Sequence, residues 1–122
     1  IIKIFGDTTL DSLISIKKQD YPPWWMFKLN KNRLQPCFNY GEDVNVFNLE
    51  RQQFPKVYRP NGAIYITWRK YLLENNAIVN PENNGYYIMS ENDSIDIDNM
   101  PDLFAARYEI EKQLKDMVQT NT

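Results

Sequence analysis

Residues 57–68 read Val-Tyr-Arg-Pro-Asn-Gly-Ala-Ile-Tyr-Ile-Thr-Trp, and this stretch decides which class of fold the chain can adopt. Its second half, residues 63–68, is rich in β-branched and aromatic residues, and such a run predicts a strand. The Pro-Asn-Gly triplet at residues 60–62 consists of residues that favour turns. We therefore predict a turn that separates this strand from a short extended segment at residues 57–59.

The residues on both sides of this stretch predict an alternation of strands and short helices. Leu13, Ile14 and Ile16 are the apolar positions of a buried strand over residues 10–17. The other predicted elements are the end of a helix at residues 1–5 closed by Gly6 and Asp7, a helix over 69–74, a loop over 75–84, a strand over 86–89 and an extended segment over 94–98. Such an alternation favours an α/β layer built on a sheet.

An aromatic segment opens a predicted hairpin. Residues 21–27 read Tyr-Pro-Pro-Trp-Trp-Met-Phe, and we predict one arm over 24–29, a turn over 30–32 and a return from Leu34. Residues 39–53 are polar and read as an exposed loop or arm. So many large aromatic side chains suit either a protein–protein contact or a local core beneath the hairpin, and the sequence leaves both open.

The last helix is the clearest predicted element. Asn99 is a residue type that caps helices, Asp102 stands three positions later, and Pro101 falls in the first turn, where proline is tolerated. Spacings of three and four residues then give one apolar face, which consists of Leu103, Ala106, Ile110, Leu114 and Met117. We expect a polar, frayed tail after Val118.

Length and charge exclude several classes of protein. The 122 residues fit one domain, and apolar residues make up 43% of them, which is enough for a real core. The formal net charge is −2, from 14 basic and 16 acidic side chains, so no general attraction to nucleic acid or anionic membrane is expected. No apolar run approaches the roughly 20 residues of a membrane span, and nothing reads as a signal peptide. We expect a soluble, cytoplasmic protein.

The residue types that are missing restrict the chemistry further. The chain has no histidine, which excludes Ser-His and Cys-His nucleophiles and most zinc sites. Cys37 is the only cysteine, so no internal disulfide can form, and a small packed hydrophobe is its favoured interpretation. Carboxylates, basic groups and an oxygen-liganded cation such as Mg²⁺ remain available for catalysis.

Residues 94–98, which read Ser-Ile-Asp-Ile-Asp, contain two carboxylates that we call the acidic pair, Asp96 and Asp98. In an extended segment the two would point the same way, roughly 7 Å apart, with Ile95 and Ile97 anchored in the core on the other face. Such a pair can hold one or two Mg²⁺ ions beside a nucleotide phosphate. The alternative is a solvated strand end in which Asp98 helps to cap the last helix.

Residues 51–62 bring three cations, Arg51, Lys56 and Arg59, into a segment that prolines stiffen. Arg59, just before the Pro-Asn-Gly triplet, could offer a bidentate fork to a carboxylate or phosphate. Gly62 would let the backbone approach a ligand closely. The alternative is an ordinary turn with surface cations.

The order of these segments resembles the acylneuraminate cytidylyltransferase (CMP-sialic acid synthetase) family, over almost the whole chain. Besides residues 94–98, the resemblance rests on residues 11–16, 25–27, 51–56 and 58–66, which read Asp-Ser-Leu-Ile-Ser-Ile, Trp-Met-Phe, Arg-Gln-Gln-Phe-Pro-Lys and Tyr-Arg-Pro-Asn-Gly-Ala-Ile-Tyr-Ile. The segments 58–66 and 94–98 are specific to this family, and their joint occurrence is stronger than either alone. The resemblance implies the C-terminal part of a Rossmann-like nucleotidyltransferase fold with a projecting β-hairpin for dimerisation.

The resemblance also implies a reaction, in which CTP and a nonulosonic acid give a CMP-sugar and pyrophosphate. A nonulosonic acid is a nine-carbon 2-keto acid sugar, such as N-acylneuraminate, and its anomeric oxygen attacks the α-phosphorus. Asp96 and Asp98 would match the metal-binding aspartates of the family and hold Mg²⁺ at the reacting phosphate.

Other site residues follow from the same resemblance. Arg59, Asn61 and Gly62 lie in the sugar-site motif, with Arg59 counted among the catalytic residues, and Tyr65 lies near the sugar. Arg51 would match a residue on the arm that reaches the site of a neighbouring subunit. The resemblance therefore implies a homodimer.

Two features depart from the family pattern. Family members begin with a glycine-rich basic loop that cradles the triphosphate, whereas the glycines here are scattered. We therefore expect residues 1–122 to be the C-terminal portion of one cytidylyltransferase domain, inactive alone, with the hairpin and arm at about 22–56 and the sugar and metal portion at about 57–118. Where some members carry paired aromatic residues, this chain has Ile78-Val79, which leaves legionaminate-type and pseudaminate-type sugars open.

Two other classes of function stay open on the sequence. One is a non-catalytic module that binds an acidic sugar or nucleotide through the turn at Arg59. The other is a dimerisation domain built on the aromatic hairpin. Only the cytidylyltransferase requires both Asp96 and Asp98.

Overall fold

The structure is a computed structural model that describes residues 1–6 and 9–120, with the side chains of Ile4 and Thr120 left out. Asp7, which we expected to close the first helix, and the end of the expected tail, residues 121–122, lie outside the described residues. The chain divides into two compact units, of which the first comprises Ile1–Lys17 with Pro60–Thr122 and the second Lys18–Arg59.

The fold is mixed α/β, as expected. The strands of the described residues are β1 (Ser12–Gln19), β2 (Phe27–Asn30), β3 (Arg33–Pro36), β4 (Val57–Thr67) and β5 (Asn84–Ile88). The α-helices of the described residues are α1 (Ile2–Gly6), α2 (Arg69–Asn75) and α3 (Met100–Thr120). The predicted strands at 10–17 and 86–89 and the helices at 69–74 and after Asn99 are confirmed, with boundaries that differ by one or two residues.

A three-stranded sheet with the order β4-β1-β5 carries the first unit, and the division between the units falls within β1 and β4. β1 and β5 run parallel. The backbone N–H of Trp68 donates to the carbonyl of Asp11 (3.2 Å), and the N–H of Ile64 donates to Ser15 Oγ (2.8 Å). These contacts run in opposite sequence order along the two strands, so β4 is antiparallel to β1.

The predicted turn at residues 60–62 is wrong as a break between elements, because β4 continues through it. Pro60 is tolerated there since β4 lies at an edge of the sheet, where a missing N–H breaks no ladder. Two features typical of a turn are still present inside the strand. Gly62 has a φ of 76°, and Asn61 Oδ1 accepts a hydrogen bond from the N–H of Ala63 (3.2 Å). The triplet therefore makes a local irregularity in a strand.

The N-terminus of α3 has the reciprocal cap that the sequence predicts. The N–H of Asp102 donates to Asn99 Oδ1, and the N–H groups of Asp98 and Asn99 both donate to Asp102 Oδ2, all at 3.1 Å. This arrangement satisfies backbone donors that a helix start would otherwise leave without partners.

The apolar face of α3 is covered only in its first turns. Leu103 and Ala106 are half-buried, whereas Ile110, Leu114 and Met117 are exposed. None of the described helices is both long enough and apolar enough to cross a membrane.

The second unit contains the predicted hairpin, but its first arm begins at Phe27 and not at residue 24, because Pro23–Trp25 form a 3-10 helix. β2 and β3 are antiparallel, with Leu29 opposite Leu34, and a two-residue turn at Lys31-Asn32 joins them, one residue shorter than predicted. Lys31 adopts a φ of 53°, as such a turn requires. Leu29 is 81% exposed and Leu34 65% exposed, so the tip of the hairpin carries apolar side chains in solvent.

Beneath the hairpin lies an aromatic cluster, which consists of Trp24, Trp25, Tyr40 and Phe54. Ring centroids are 4.8 Å apart for Trp24 and Tyr40, 5.5 Å for Trp24 and Phe54, and 5.4 Å for Trp25 and Phe54. Trp25 Nε1 also donates to the carbonyl of Val46 (3.0 Å), which satisfies the polar edge of the indole. The local-core interpretation of the aromatic segment is therefore confirmed for these rings.

Replacing Gly62 with alanine tests the irregularity in β4. A Cβ at Gly62 would meet nothing within 4 Å, so only the positive φ penalises it. We expect Gly62→Ala to lower the free energy of unfolding by about 1–2 kcal/mol, measured by urea denaturation. Gly6→Ala is the matched control because it also enters open space without a positive φ. Equal losses in the two variants would contradict this account.

Removal of the ring of Phe54 tests the aromatic cluster. Phe54 is only 7% exposed, so Phe54→Ala should cost about 3–5 kcal/mol. Tryptophan fluorescence during urea denaturation reports on it because Trp24 and Trp25 both contact this ring. Phe38, which is 52% exposed, provides the control, and Phe38→Ala should change the stability by less than about 0.5 kcal/mol. A small effect at Phe54 would rule out this cluster as a core.

Candidate functional site

The acidic pair follows a short 3-10 helix, Asn92–Ser94, and precedes α3. Asp96 and Asp98 are both exposed. The segment that holds them forms no strand, so the expected alternation of faces does not apply, and the expected burial of Ile97 is wrong because it is 54% exposed. The physical reason is that backbone N–H groups at 98 and 99 turn to the side chain of Asp102 instead of pairing with a neighbouring strand. Of the two isoleucines that were expected in the core, only Ile95 is half-buried.

The two carboxylates supply oxygen donors of the kind that Mg²⁺ prefers. Neither side chain accepts a hydrogen bond from any residue that the structure describes, so their oxygens are available. Within the same residues, no group of three or more acidic, histidine or cysteine side chains gathers to form a complete metal site. Mg²⁺ in nucleotide sites is held by one or two carboxylates, with phosphate oxygens and water as its other ligands. Asp96 and Asp98 match that donor set.

A buried side-chain network stands next to the acidic pair in sequence. Asn61 is 9% exposed, and its Oδ1 accepts from Ser15 Oγ (2.5 Å) as well as from the N–H of Ala63. Its Nδ2 donates to Ser94 Oγ (2.9 Å) and to the sulfur of Met89 (3.2 Å). We call Ser15, Asn61 and Ser94 the serine–asparagine network. It joins β1, β4 and the 3-10 helix that ends at Ser94.

The amide of Asn61 therefore uses all four of its hydrogen-bonding positions inside the chain. A direct contact between this amide and a sugar would have to replace one of these bonds. The role of Asn61 in sugar binding stays a prediction.

Lys17 supports the same region from β1. Its Nζ lies 2.7 Å from Glu91 Oε1 and 3.5 Å from the carbonyl of Ser94, and its side chain is only 11% exposed. A buried ammonium needs such partners because burial without them is costly. The pair holds the turn at residues 90–94 against the central strand.

Three further predicted residues lie on β4. Arg59 is exposed, and its guanidinium makes no ion pair with any residue that the structure describes. Tyr65 is 50% exposed, and Gly62 is exposed at the irregularity in the strand. Arg59 falls in the second unit, whereas Gly62 and Tyr65 belong to the first with Asn61 and the acidic pair.

Arg51 lies in the second unit, in a 3-10 helix, Arg51–Gln53. Its guanidinium carbon sits 4.9 Å from the ring centroid of Tyr21, a cation–π contact that holds the side chain. It borders a cleft of about 280 Å³ that Lys18 and Lys56 also line, with Asp20 as its one acidic side chain. Lys18 pairs with Asp20 (3.7 Å), which leaves Arg51 and Lys56 as the excess positive charge of a cleft suited to an anion.

Sequence patterns assign no role to Ser15, Lys17, Lys18 or Ser94, although Ser15 and Ser94 fall within two of the motifs, and the structure adds all four to the candidate residues. The one available signal was the presence of Ser15 and Lys17 beside the apolar residues of a strand predicted to be buried. A polar residue in a buried strand needs a partner, but the sequence does not say where that partner lies.

Comparison with known proteins adds a second kind of observation. No protein-family model matches the chain. A segment of 48 residues is 46% identical to the CMP-N,N'-diacetyllegionaminic acid synthase of Campylobacter jejuni, and it covers 39% of this chain and 20% of that protein. A segment of 63 residues is 35% identical to the post-translational flagellin modification protein B of Campylobacter coli, over 52% of this chain and 26% of that protein.

These matches are partial, since they span about a fifth to a quarter of the length of the curated relatives. They nevertheless point to the same kind of protein as the motifs at residues 58–66 and 94–98. The resemblance to CMP-sugar synthetases is confirmed at this level: the chain is similar to curated proteins that are consistent with a CMP-nonulosonic acid synthetase family.

Proposed function

We propose that this chain is the sugar and metal portion of a cytidylyltransferase that transfers CMP from CTP to a nonulosonic acid. One observation carries the proposal. The two motifs most specific to the family lie far apart in sequence, and the hydrogen bond from Asn61 Nδ2 to Ser94 Oγ joins them directly (2.9 Å). The name of the relative from Campylobacter jejuni, a CMP-N,N'-diacetyllegionaminic acid synthase, supports the reaction and the substrate class.

In the proposed reaction the anomeric hydroxyl oxygen of the sugar attacks the α-phosphorus of CTP. The new phosphorus–oxygen bond forms as the bond to the β-phosphate oxygen breaks, so pyrophosphate leaves and the hydroxyl proton is lost to solvent. Bound Mg²⁺, held by Asp96 and Asp98, would offset the negative charge of the phosphates. The exposure of both carboxylates supports this role.

The other residues act on the substrates. The exposed guanidinium of Arg59 can form two parallel hydrogen bonds to the sugar carboxylate. Tyr65 supplies a half-exposed aromatic surface on the same strand, and Gly62 leaves room for a close approach. Arg51, in its cationic cleft, binds an anionic group of a substrate held by a neighbouring subunit.

The CTP-binding part belongs, in this proposal, to a segment outside residues 1–122, because these residues contain no glycine-rich basic loop. Together the two parts would complete a Rossmann-like nucleotidyltransferase domain. The uncovered apolar surface of the first unit supports the proposal. Of the apolar side chains described there only Phe5 and Leu13 are buried, while Tyr86, Ile88 and Leu114 are among those left in solvent. Activity is therefore assayed on the full-length protein.

A homodimer is the second part of the proposal. Leu29 and Leu34 face each other across the hairpin and are both largely exposed. Exposed leucines paired on a projecting hairpin suit burial against a second copy. The other class of function, a non-catalytic module that binds an acidic sugar, would use Arg59 without any need for the acidic pair.

The need for the acidic pair separates these functions. We expect Asp98→Asn in the full-length protein to lower the rate of CMP-sugar formation by roughly 10²- to 10³-fold or more, because a neutral amide holds Mg²⁺ poorly. Asp93→Asn is the matched control, since Asp93 is an exposed carboxylate of the adjacent turn that bonds only to Ser90 Oγ in the described structure. The assay is release of pyrophosphate from CTP. Near-normal turnover in Asp98→Asn would exclude the metal role and favour the binding module.

Light scattering tests the dimer. We expect the protein to have twice its monomer mass and the double variant Leu29→Ser, Leu34→Ser to become monomeric, because it removes the exposed apolar pair. The control changes the neighbouring pair, Lys28→Ser with Gln35→Ser, which projects from the other face of the same hairpin. A dimer that survives the leucine variant would place the interface elsewhere.

A further inference from the structure

We infer that the serine–asparagine network positions the acidic pair, and that Ser15, Asn61 and Ser94 set the affinity for Mg²⁺ without touching it. The inference rests on the proposed function, since it concerns the same two aspartates. It assigns Asn61 a task inside the protein, in place of a contact with the sugar.

The network is a directed chain of hydrogen bonds. The N–H of Ile64 donates to Ser15 Oγ, whose hydroxyl donates to Asn61 Oδ1. Asn61 Nδ2 then donates to Ser94 Oγ, whose hydroxyl donates to the carbonyl of Ser90 (2.6 Å). Each hydroxyl is both donor and acceptor, and hydrogen bonds in such a chain strengthen one another in a poorly hydrated interior. The chain therefore ties the backbone of β4 to the turn at residues 90–94.

The segment with the acidic pair is held at both ends. On one side Ser94 is 4% exposed and bound to Asn61, only two residues before Asp96. On the other side the N–H of Asp98 itself is bound to the side chain of Asp102. Asp96 lies between these two fixed points and Asp98 lies at the second, and both residues are exposed. A short segment with both ends fixed has few conformations, which favours one spacing of its carboxylates.

Lys17 and Glu91 brace the same turn. The ammonium of Lys17 reaches both the Glu91 carboxylate and the carbonyl of Ser94, so it acts on the residue that the network also holds. Groups of this kind, which hold metal ligands without being ligands, typically contribute about 10- to 100-fold to metal affinity.

The chain offers a control for a purely structural role. Ser12 is fully buried, and its hydroxyl joins Asn84 Oδ1 (2.6 Å) and the N–H of Asn80 (2.9 Å). It therefore holds Asn80 and Asn84 to β1, the strand that also carries Ser15, and these partners lie in a different segment from the acidic pair. Ser12→Ala removes a comparable buried hydroxyl from a different network.

The experiment compares Ser94→Ala, Ser12→Ala and Glu91→Ala with the wild type in the full-length protein. One measurement is the Mg²⁺ concentration that gives half-maximal CMP-sugar formation at saturating CTP. The other is amide hydrogen exchange at Ser94 and Asp98, whose N–H groups are hydrogen-bonded, in the metal-free protein, and this readout does not depend on activity. We expect Ser94→Ala to raise the half-saturating Mg²⁺ concentration by about 10- to 100-fold and to speed exchange. Glu91→Ala should shift both in the same direction by less, and Ser12→Ala should shift neither.

A folded Ser94→Ala variant with wild-type exchange and Mg²⁺ dependence would overturn the inference, and so would an equal shift in Ser12→Ala. If Ser94→Ala does not fold, Ser15→Ala decides the matter, because it removes the other hydroxyl of the same network; unchanged exchange there would overturn the inference. A wild type that forms no CMP-sugar at any Mg²⁺ concentration would overturn the proposed function instead. The exchange data would still test whether the serine–asparagine network restrains the segment that carries the acidic pair.

Discussion

The carboxamide of Asn61 is the point on which the first unit depends. It is buried, and it donates and accepts two hydrogen bonds each, to three different parts of the chain. A buried polar group left without a partner costs about 1–3 kcal/mol. The Asn61 carboxamide therefore has all its hydrogen-bond partners only when β1, β4 and the turn at residues 90–94 come together. The same requirement explains the irregular stretch of β4. Gly62 can take its positive φ because it has no Cβ, and the side chain of Asn61 accepts the N–H of Ala63 at that irregularity.

How far the sequence predicts this structure depends on how far apart the interacting residues are. The cap of α3 was predictable because Asn99 and Asp102 are three residues apart, and the hairpin was predictable because its strands are adjacent. The serine–asparagine network was not, since its bonds join residues separated by 46 and 33 positions. The same limit explains the error at residues 60–62. Pro-Asn-Gly has the local chemistry of a turn, and only the distant Ser15 shows that β4 continues past it.

The acidic pair shows a different limit. Its two aspartates were predictable as candidates, but the alternation of faces expected around Ile97 required a strand. The segment instead bends into the cap of α3, where backbone N–H groups find the side chain of Asp102. Capping chemistry thus outweighed strand propensity, and both carboxylates remain exposed for a ligand.

The Asn61-Gly62 dipeptide also affects the chemical stability of the protein during storage. In an unfolded chain, Asn-Gly is the dipeptide that most readily loses ammonia, because glycine lets the next backbone nitrogen reach the side-chain carbonyl carbon. The fold opposes that ring closure by holding the carboxamide at both ends. Deamidation at residue 61 would also put a carboxylate where an amide must donate to Ser94, so the damaged chain could not rebuild the network. The fraction of molecules deamidated at Asn61, measured by mass spectrometry of stored protein, would therefore rise with the share of time that the population spends unfolded.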